Sequence, residues 1–216
     1  MTTKRIVVTR PNHDLTTRYL SYYAGKFSNE VQQKGHSVTD LKNKRACKKY
    51  FESIVRKVKP DLIFLNGHGS SNQVCGQDNV AIVRSDDNAK ILQDTVTYAL
   101  SCQAANELGP ESVHQGAKAF VGYNTDFIFY TDRDKQTKPH HDEVAKKFLE
   151  PATQVPISLL KGNTVSAACN NSRQAFRKNI RKLITSETSK ADTALLSTLY
   201  WDMTHLVFSG DAKVKI

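Results

Sequence analysis

Two kinds of apolar run alternate along this chain. Four consecutive apolar residues, Leu62 to Leu65, stand between Pro60-Asp61 and Asn66-Gly67. A run that short, with no polar alternation, predicts a strand buried on both faces of a parallel sheet. Lys4 to Arg10, His36 to Leu41, Thr95 to Leu100 and Ala117 to Tyr123 are further short runs of strand-forming residues bounded by turn formers. Between them lie segments at helical spacing. Leu15 to Lys34 opens on Asp14, a good N-cap, and closes at Gly35. Asn43 to Lys59 carries Tyr50, Phe51, Ile54, Val55 and Val58 on one face and is stopped by Pro60. Strands and helices in alternation with short connections predict an α/β three-layer sandwich with a mostly parallel central sheet, of flavodoxin-like build.

The pattern changes twice. Ser70 to Asp94, with Gly76, Asp78-Asn79 and Asp86-Asp87-Asn88 between its apolar residues, reads as hairpin or loop rather than a crossover helix. Beyond Tyr123 the chain turns helical: His141 to Leu149, then Val165 to Thr185 with Phe176, Ile180, Leu183 and Ile184. Ser186 to Asp192 is a polar break, Thr193 to Phe208 is a helix or a helix followed by a strand, and Ser209-Gly210-Asp211 is a closing turn. Without an internal repeat, a low-complexity segment or a linker, residues 1–216 read as a single domain.

Composition narrows the partners. At 39% hydrophobic and 24% charged, the 216 residues have the balance of a soluble globular protein. No apolar run approaches the ~20 residues that span a bilayer, and Met-Thr-Thr-Lys-Arg leads straight into Ile-Val-Val, so no membrane association and a cytoplasmic location are expected. Cys47, Cys75, Cys102 and Cys169 are scattered without paired spacing and read as reduced thiols. Lys and Arg exceed Asp and Glu by 31 − 21 = 10. The surplus is spread at helical spacing over Lys42 to Lys49, Arg56 to Lys59 and Arg173 to Lys182, which solvated helix faces explain, and a nucleic-acid partner is not expected.

Two strands end in reactive side chains: Leu62 to Leu65 leads to His68, and Thr95 to Leu100 leads to Cys102. If the strands are parallel neighbours, about 4.8 Å apart, an imidazole and a thiol share one sheet edge, where ligands collect in open α/β folds. A thiol of pKa about 8.5 is little ionised at neutral pH, so a neighbouring imidazole serves both to activate it and to protonate a leaving amine. Gly67 and Gly69 allow close backbone approach, and the amides of Gly69 and Cys102 are placed to hold an oxyanion. Each signal alone is that of a turn or a buried cysteine; their joint placement carries the reading. Neither His68 with Cys75 nor the adjacent His140 and His141, expected to point apart, gives a metal site, and Asn66-Gly67-His68-Gly69-Ser70 lacks the Lys-Ser/Thr of a phosphate loop. No metal or cofactor is expected. Cys169 and the Trp201-Asp202-Met203 cluster read as core.

The order apolar strand, His-Gly, hairpin-like insertion, Ala-Leu-Ser-Cys, then Gly-Ala-Lys-Ala-Phe-Val-Gly resembles the cysteine peptidases of caspase-like fold, a group that includes caspases, gingipains and legumains. Leu62 to Gly122 carries the likeness, which is nearest in look to gingipain-like and bacterial CHAT-type members. The resemblance implies a cysteine endopeptidase with His68 as catalytic histidine, Cys102 as nucleophile and Gly69 as oxyanion donor. It implies a His-Cys dyad without an obligatory third member, and no Asp or Asn orienter is obvious. The substrate would be a protein or peptide, with room for a regulatory protein partner; no caspase-type inter-subunit linker follows Cys102. In that fold the primary specificity pocket draws on the loop after the first strand and the loop after the strand following the nucleophile, here Arg10 to Asp14 and Tyr123 to Asp134. The first loop offers Arg10 and Asp14 as substrate-binding candidates, and the second sets Asp126, Asp132 and Asp134 against one Arg133, which favours a basic residue before the scissile bond with Asp126 the leading carboxylate, whereas Arg10 and Arg133 keep acidic specificity open. Two other readings stand beside this one. The first is a catalytically silent caspase-like module that binds a protein or nucleic acid through its basic surface; the second is a hydrolase acting on a non-peptide acyl group.

Overall fold

The computed structural model describes residues 3–184 and 190–216. The chain opens with β1 (Arg5–Arg10), α1 (Leu15–Gln33), β2 (Ser37–Lys42), α2 (Lys48–Val58) and β3 (Leu62–Asn66). A small hairpin sheet follows, made of β4 (Gly69–Ser70), β5 (Gln73–Cys75) and β6 (Ala81–Arg84). Then come β7 (Val96–Leu100), α3 (Leu108–His114), β8 (Ala119–Tyr123), α4 (Glu143–Leu160), α5 (Val165–Leu183), α6 (Lys190–His205) and β9 (Leu206–Gly210). The main sheet has the order β2-β1-β3-β7-β8-β9. All its pairings are parallel except β8 with β9, which is antiparallel.

Burial on both faces explains the unbroken apolar runs. Ile6, Val8, Leu62, Phe64, Val96 and Tyr98 pack on one face with Tyr19 and Phe27 of α1, Phe148 of α4 and Phe176 of α5. Val7, Ile63, Leu65, Ala99 and Phe120 pack on the other with Phe51 and Val55 of α2, Leu108 of α3 and Val74 and Ile82 of the hairpin. Alternate side chains of a strand point to opposite faces, so a strand covered twice is apolar at nearly every position, and its polar exceptions, Thr9, Asn66 and Thr97, are hydrogen-bonded inside the fold. Phe64 stacks on Tyr98 at 5.1 Å between centroids and meets Phe27 edge-on at 5.6 Å. The basic residues Arg177, Lys178, Arg181 and Lys182 are exposed on α5, as solvated-face charges should be.

Several expectations are corrected by packing. The helix expected over Asn43 to Lys59 is a short 3-10 turn, Asn43–Arg45, followed by α2. α3 went unread because Gly109 and Pro110 lie within it; both fall in the first turn, where proline needs no N–H acceptor. Ser209 and Gly210, expected in a turn, belong to β9. Of the polar break at Ser186 to Asp192, residues 186–189 lie outside the described residues, as does Thr185, and residues 190–192 open α6. His140 and His141 do not point apart: on a 3-10 turn their rings lie 4.0 Å apart. Trp201 leaves the expected core cluster and is 40% exposed, while Asp202 and Met203 stay buried.

The largest correction is α4, which continues through Pro151 and Pro156 to Leu160 instead of stopping at Leu149. A proline inside a helix leaves the carbonyl four residues earlier without its donor. For Pro151 that carbonyl is Lys147, which accepts from Asn179 Nδ2 of α5 at 2.8 Å. For Pro156 it is Ala152, which accepts the buried Tyr98 hydroxyl of β7 at 2.9 Å. Both missing donors are replaced from neighbouring elements, and the helix runs on. Removing one buried donor should therefore be felt: Tyr98→Phe is expected to lower the unfolding free energy by about 1–3 kcal/mol, read from chemical denaturation. An unchanged midpoint would mean that the Ala152 carbonyl does not depend on Tyr98.

Candidate active site at the carboxyl edge of the sheet

β3 and β7 pair in parallel from Leu62 opposite Val96 to Asn66 opposite Leu100. The offset is 34 residues (96 − 62 = 34), and the ladder ends at Asn66 and Leu100, two residues before His68 and Cys102, so both residues follow neighbouring strand ends at the same edge; among the described residues the imidazole bonds Asp14 and the thiol the Phe127 carbonyl, with no hydrogen bond between the two. The approach is close because glycine permits it. A Cβ on Gly69 would lie 2.0 Å from Ser101 Oγ, 2.8 Å from the Gln73 carbonyl oxygen and 3.1 Å from that of Cys102. Gly67 has φ +145° and would place a Cβ 2.2 Å from the Cys75 carbonyl oxygen.

Two backbone amides at this edge, those of Gly69 and Cys102, have no backbone carbonyl partner among the described residues. Cys75 donates to the His68 carbonyl at 2.8 Å, so His68 and Cys75 form a hydrogen-bonded pair of the antiparallel hairpin. Bonded and non-bonded pairs alternate, so the next pair, Gly69 with Val74, leaves the Gly69 amide turned away from β5. Among the described residues the Cys102 amide donates to no backbone carbonyl. Gln103, next in the chain, sits at φ +58° with its amide on the Thr125 carbonyl at 2.9 Å. That left-handed bend in a non-glycine residue is the kind of backbone strain that gathers at functional turns.

Asp14 is the residue whose role the sequence reading missed. It caps α1 through a capping box with Thr17, accepting the Thr17 amide and hydroxyl at 2.7 Å each, and its other oxygen lies 2.6 Å from His68 Nε2. Partial burial raises its pKa, but the Thr17 bonds and His68 outweigh this and bring the carboxyl down to about 2. An ionised acceptor on Nε2 fixes the His68 proton there and leaves Nδ1 with the lone pair. The signal was present in strand adjacency: β1 pairs β3 with Val8 opposite Phe64, an offset of 56, which brings the loop after β1 alongside His68. His13 stands on the same rim, its ring centroid 6.1 Å from that of His68.

Cys102 is half-buried, and its thiol donates a long contact to the Phe127 carbonyl at 3.8 Å. Burial first, then the carboxyls of Asp126 and Asp202, push the thiol above its ordinary range. The nucleophile candidate is therefore neutral at pH 7. Around it the loop after β8 is strapped to α6: Trp201 Nε1 donates to the Asp126 carbonyl at 3.0 Å, and the Ile128 amide donates to Asp202 Oδ1 at 3.1 Å. Asp202 is fully buried with Oδ2 unpartnered among the described residues, and burial raises its pKa to about 8 against the Ile128 bond.

The specificity candidates divide. Asp126 is exposed, close enough to act on Cys102, and accepts Gln103 Nε2 at 2.8 Å. Asp14 serves His68. Arg10 points the other way: its guanidinium binds Asp40 at 2.6 Å and the Ser21 carbonyl at 2.8 Å. Asp132 caps the 3-10 turn Arg133–Lys135, where Arg133 is exposed, and the Asp132 amide is tied to Asp142 at the start of α4. Clefts of about 770 and 830 Å³, lined by Arg5, Asp61, Thr95 and Lys118 or by Lys4, His36 and Leu160, open at the opposite, amino-terminal ends of the strands, and another of about 770 Å³ lies between α1 and α4.

This architecture is the caspase-like fold, a mixed α/β sandwich around a mostly parallel six-stranded sheet. Gingipain R (RgpB), an Arg-specific cysteine proteinase, superposes with a TM-score of 0.62 over 98% of this chain at 11% identity. The complex of the pro- and mature domains of RgpB from Porphyromonas gingivalis gives 0.60 over 99% at 9% identity. The chain spans about half the length of these proteins, 47% and 48%. An inactive zymogen C11 protease from Parabacteroides distasonis overlaps at a TM-score of 0.43, with 12% identity, 97% of this chain and 85% of the other covered. No protein-family model and no curated protein sequence matches the chain. Among the described residues no helix is long and apolar enough to cross a membrane.

Two titrations test the electrostatics. Alkylation of Cys102 by iodoacetamide is expected to accelerate with pH to a midpoint above the ~8.5 of free cysteine; a plateau already reached at pH 6 would contradict a neutral thiol. For Asp202 the folded pKa lies above the unfolded one, so between about pH 4 and 8 the native state holds a proton that the unfolded state has lost. Stability then falls as pH rises, by up to about 1.4 kcal/mol per pH unit. Asp202→Asn keeps the acceptor for Ile128 and should remove that slope in denaturation curves taken across the range; identical pH profiles would show that Asp202 is ionised when folded.

Proposed function

We propose that this chain is a cysteine endopeptidase that uses Cys102 as nucleophile and His68 as proton carrier, with Asp14 holding the imidazole. The observation that supports the reading is the 34-residue register of β3 and β7, which ends both strands at one edge two residues before His68 and Cys102, together with the 2.6 Å contact of Asp14 on His68 Nε2. The likeness of the whole fold to gingipain R supports the peptidase class; the CHAT-type likeness rests on sequence alone.

With Nε2–H given to Asp14, Nδ1 is the nitrogen that exchanges protons. A peptide carbonyl seated against the Gly69 and Cys102 amides would have its developing oxyanion held by two N–H donors. The thiol, neutral before substrate arrives, passes its proton to Nδ1 as sulfur attacks the carbonyl carbon. His68 then gives that proton to the departing amine, leaving an acyl-enzyme that water resolves. Asp14 offsets the imidazolium formed between these steps, much as the aspartate of a serine triad does. Asp126, exposed beside the nucleophile and held by Gln103, favours a basic side chain before the cut, in line with the arginine specificity of gingipain R. Arg10 is neutralised by Asp40 and does not compete for an acidic one.

Fluorogenic peptides varied at the residue before the cut test this. Arg and Lys peptides are expected to be cleaved and Asp or Glu peptides spared. Cys102→Ala should abolish turnover and His68→Ala reduce it by several orders of magnitude. Asp14→Asn, which keeps a helix cap, should lower kcat by about 10–100-fold with KM little changed. A wild-type chain inert on every peptide and unlabelled by peptidyl electrophiles sinks the enzyme reading. Salt-sensitive retention on nucleic acid without turnover would then favour the silent binding module.

A further inference from the structure

His13 is not used by the chemistry above, yet it completes a group. We propose that His13, Asp14 and His68 form a binding site for a zinc-type divalent transition-metal ion, and that the ion switches off proton transfer by His68. The second half of this proposal rests on the peptidase reading; the site itself does not.

One ligand atom from each of the three residues lies within 4.8 Å of the others. Asp14 Oδ2 is 2.6 Å from His68 Nε2 and 3.6 Å from His13 Nε2. In a tetrahedral zinc site with bonds near 2.0 Å, neighbouring ligand atoms are about 3.3 Å apart. The two contacts bracket that spacing and the third separation is within 4.8 Å, so the site closes by shifts of at most about 1.5 Å. The ligands also stand on fixed supports. Thr17 holds Asp14 through the capping box and accepts the His13 amide on Oγ1 at 3.0 Å. His68 is clamped between Gly67 and Gly69, whose backbones touch Cys75 and Ser101. Two imidazoles and a carboxylate select zinc and its neighbours in the first transition row, while calcium and magnesium want oxygen shells. The fourth position faces solvent and takes water, since the His68 and Asp14 side chains are each 37% exposed.

Proton placement dictates the consequence. In the metal-free molecule His13 Nδ1 accepts the Asp78 amide at 3.2 Å, which puts the proton of the neutral ring on Nε2, facing Asn79 Oδ1 at 3.1 Å. His68 likewise carries its proton on Nε2. An ion bound to both Nε2 atoms needs both lone pairs, so each ring moves its proton to Nδ1, with no net proton released. For His13 this gives up one exposed bond to Asp78, whose amide passes to water. For His68 it removes the Nδ1 lone pair. A His68 that is N–H at Nδ1 and metal-bound at Nε2 has nowhere to accept the Cys102 proton.

Isothermal titration of zinc into the chelator-stripped full chain tests the site, with magnesium as control. Wild type and Cys102→Ala should each bind one zinc and no magnesium, and His13→Gln should weaken zinc binding at least tenfold while circular dichroism stays native. Absence of zinc binding overturns the proposal, and so does a site lost in Cys102→Ala but kept in His13→Gln, which would place the ion on His68 and Cys102. Where peptide turnover is measured, zinc should abolish it and a chelator restore it; turnover at saturating zinc overturns the switch. A chain that cleaves no peptide would fail the enzyme reading while the isotherms still decide the metal site.

Discussion

The parallel pairing of β3 with β7 is the constraint on which the rest of this molecule depends. Both strands are buried along their whole length, so their register is held by side chains on two faces. A slip by one residue would turn every one of those side chains to the wrong layer. Phe64 against Tyr98 and Ile63 beside Thr97 are therefore packing facts with a chemical result, because the same register ends both strands at one edge, two residues before His68 and Cys102. The glycines around His68 let the hairpin approach Ser101 and Cys102 to distances that any side chain would forbid.

Asp14 links local and tertiary structure in one carboxylate. As N-cap it accepts the Thr17 amide at the positive end of α1, where a negative charge is favoured. Its other oxygen meets His68, fifty-four residues away, and fixes the tautomer. Helix formation and imidazole orientation thus share a group, and this is why its pKa sits so low. Cys102 faces the opposite field, with burial first and then the Asp126 carboxylate holding its thiol protonated. The Cys102 thiol is consequently not a preformed thiolate.

The sheet, its parallel sense and its double cover were legible because each depends on a pattern inside one short segment: an apolar run, a cap, a glycine stop. α4 shows where that logic ends. The helical pattern ends at Leu149, two residues before Pro151; the helix continues through Pro151 and Pro156 because Asn179 and Tyr98 supply the two donors that the prolines remove. The missed α3 and the misread 3-10 turn at Asn43–Arg45 have the same origin, in segments whose own preferences are weak and whose neighbours decide.

For the candidate site the division is sharper. The sequence alone determined that a histidine and a cysteine would follow two buried strands, since strand ends are marked by the residues around them. Only the tertiary structure decided their company. Asp14 could be recognised as a helix cap from its own neighbours, but its second partner came from strand order. Arg10, equally placed in the chain, was turned away by Asp40 on β2, and Asp126 was drawn to Cys102 by a loop strapped to Trp201 and Asp202. Local sequence sets which groups reach the edge of the sheet; which of them meet, and in what protonation state, depends on residues distant in the chain and on burial that no single segment encodes.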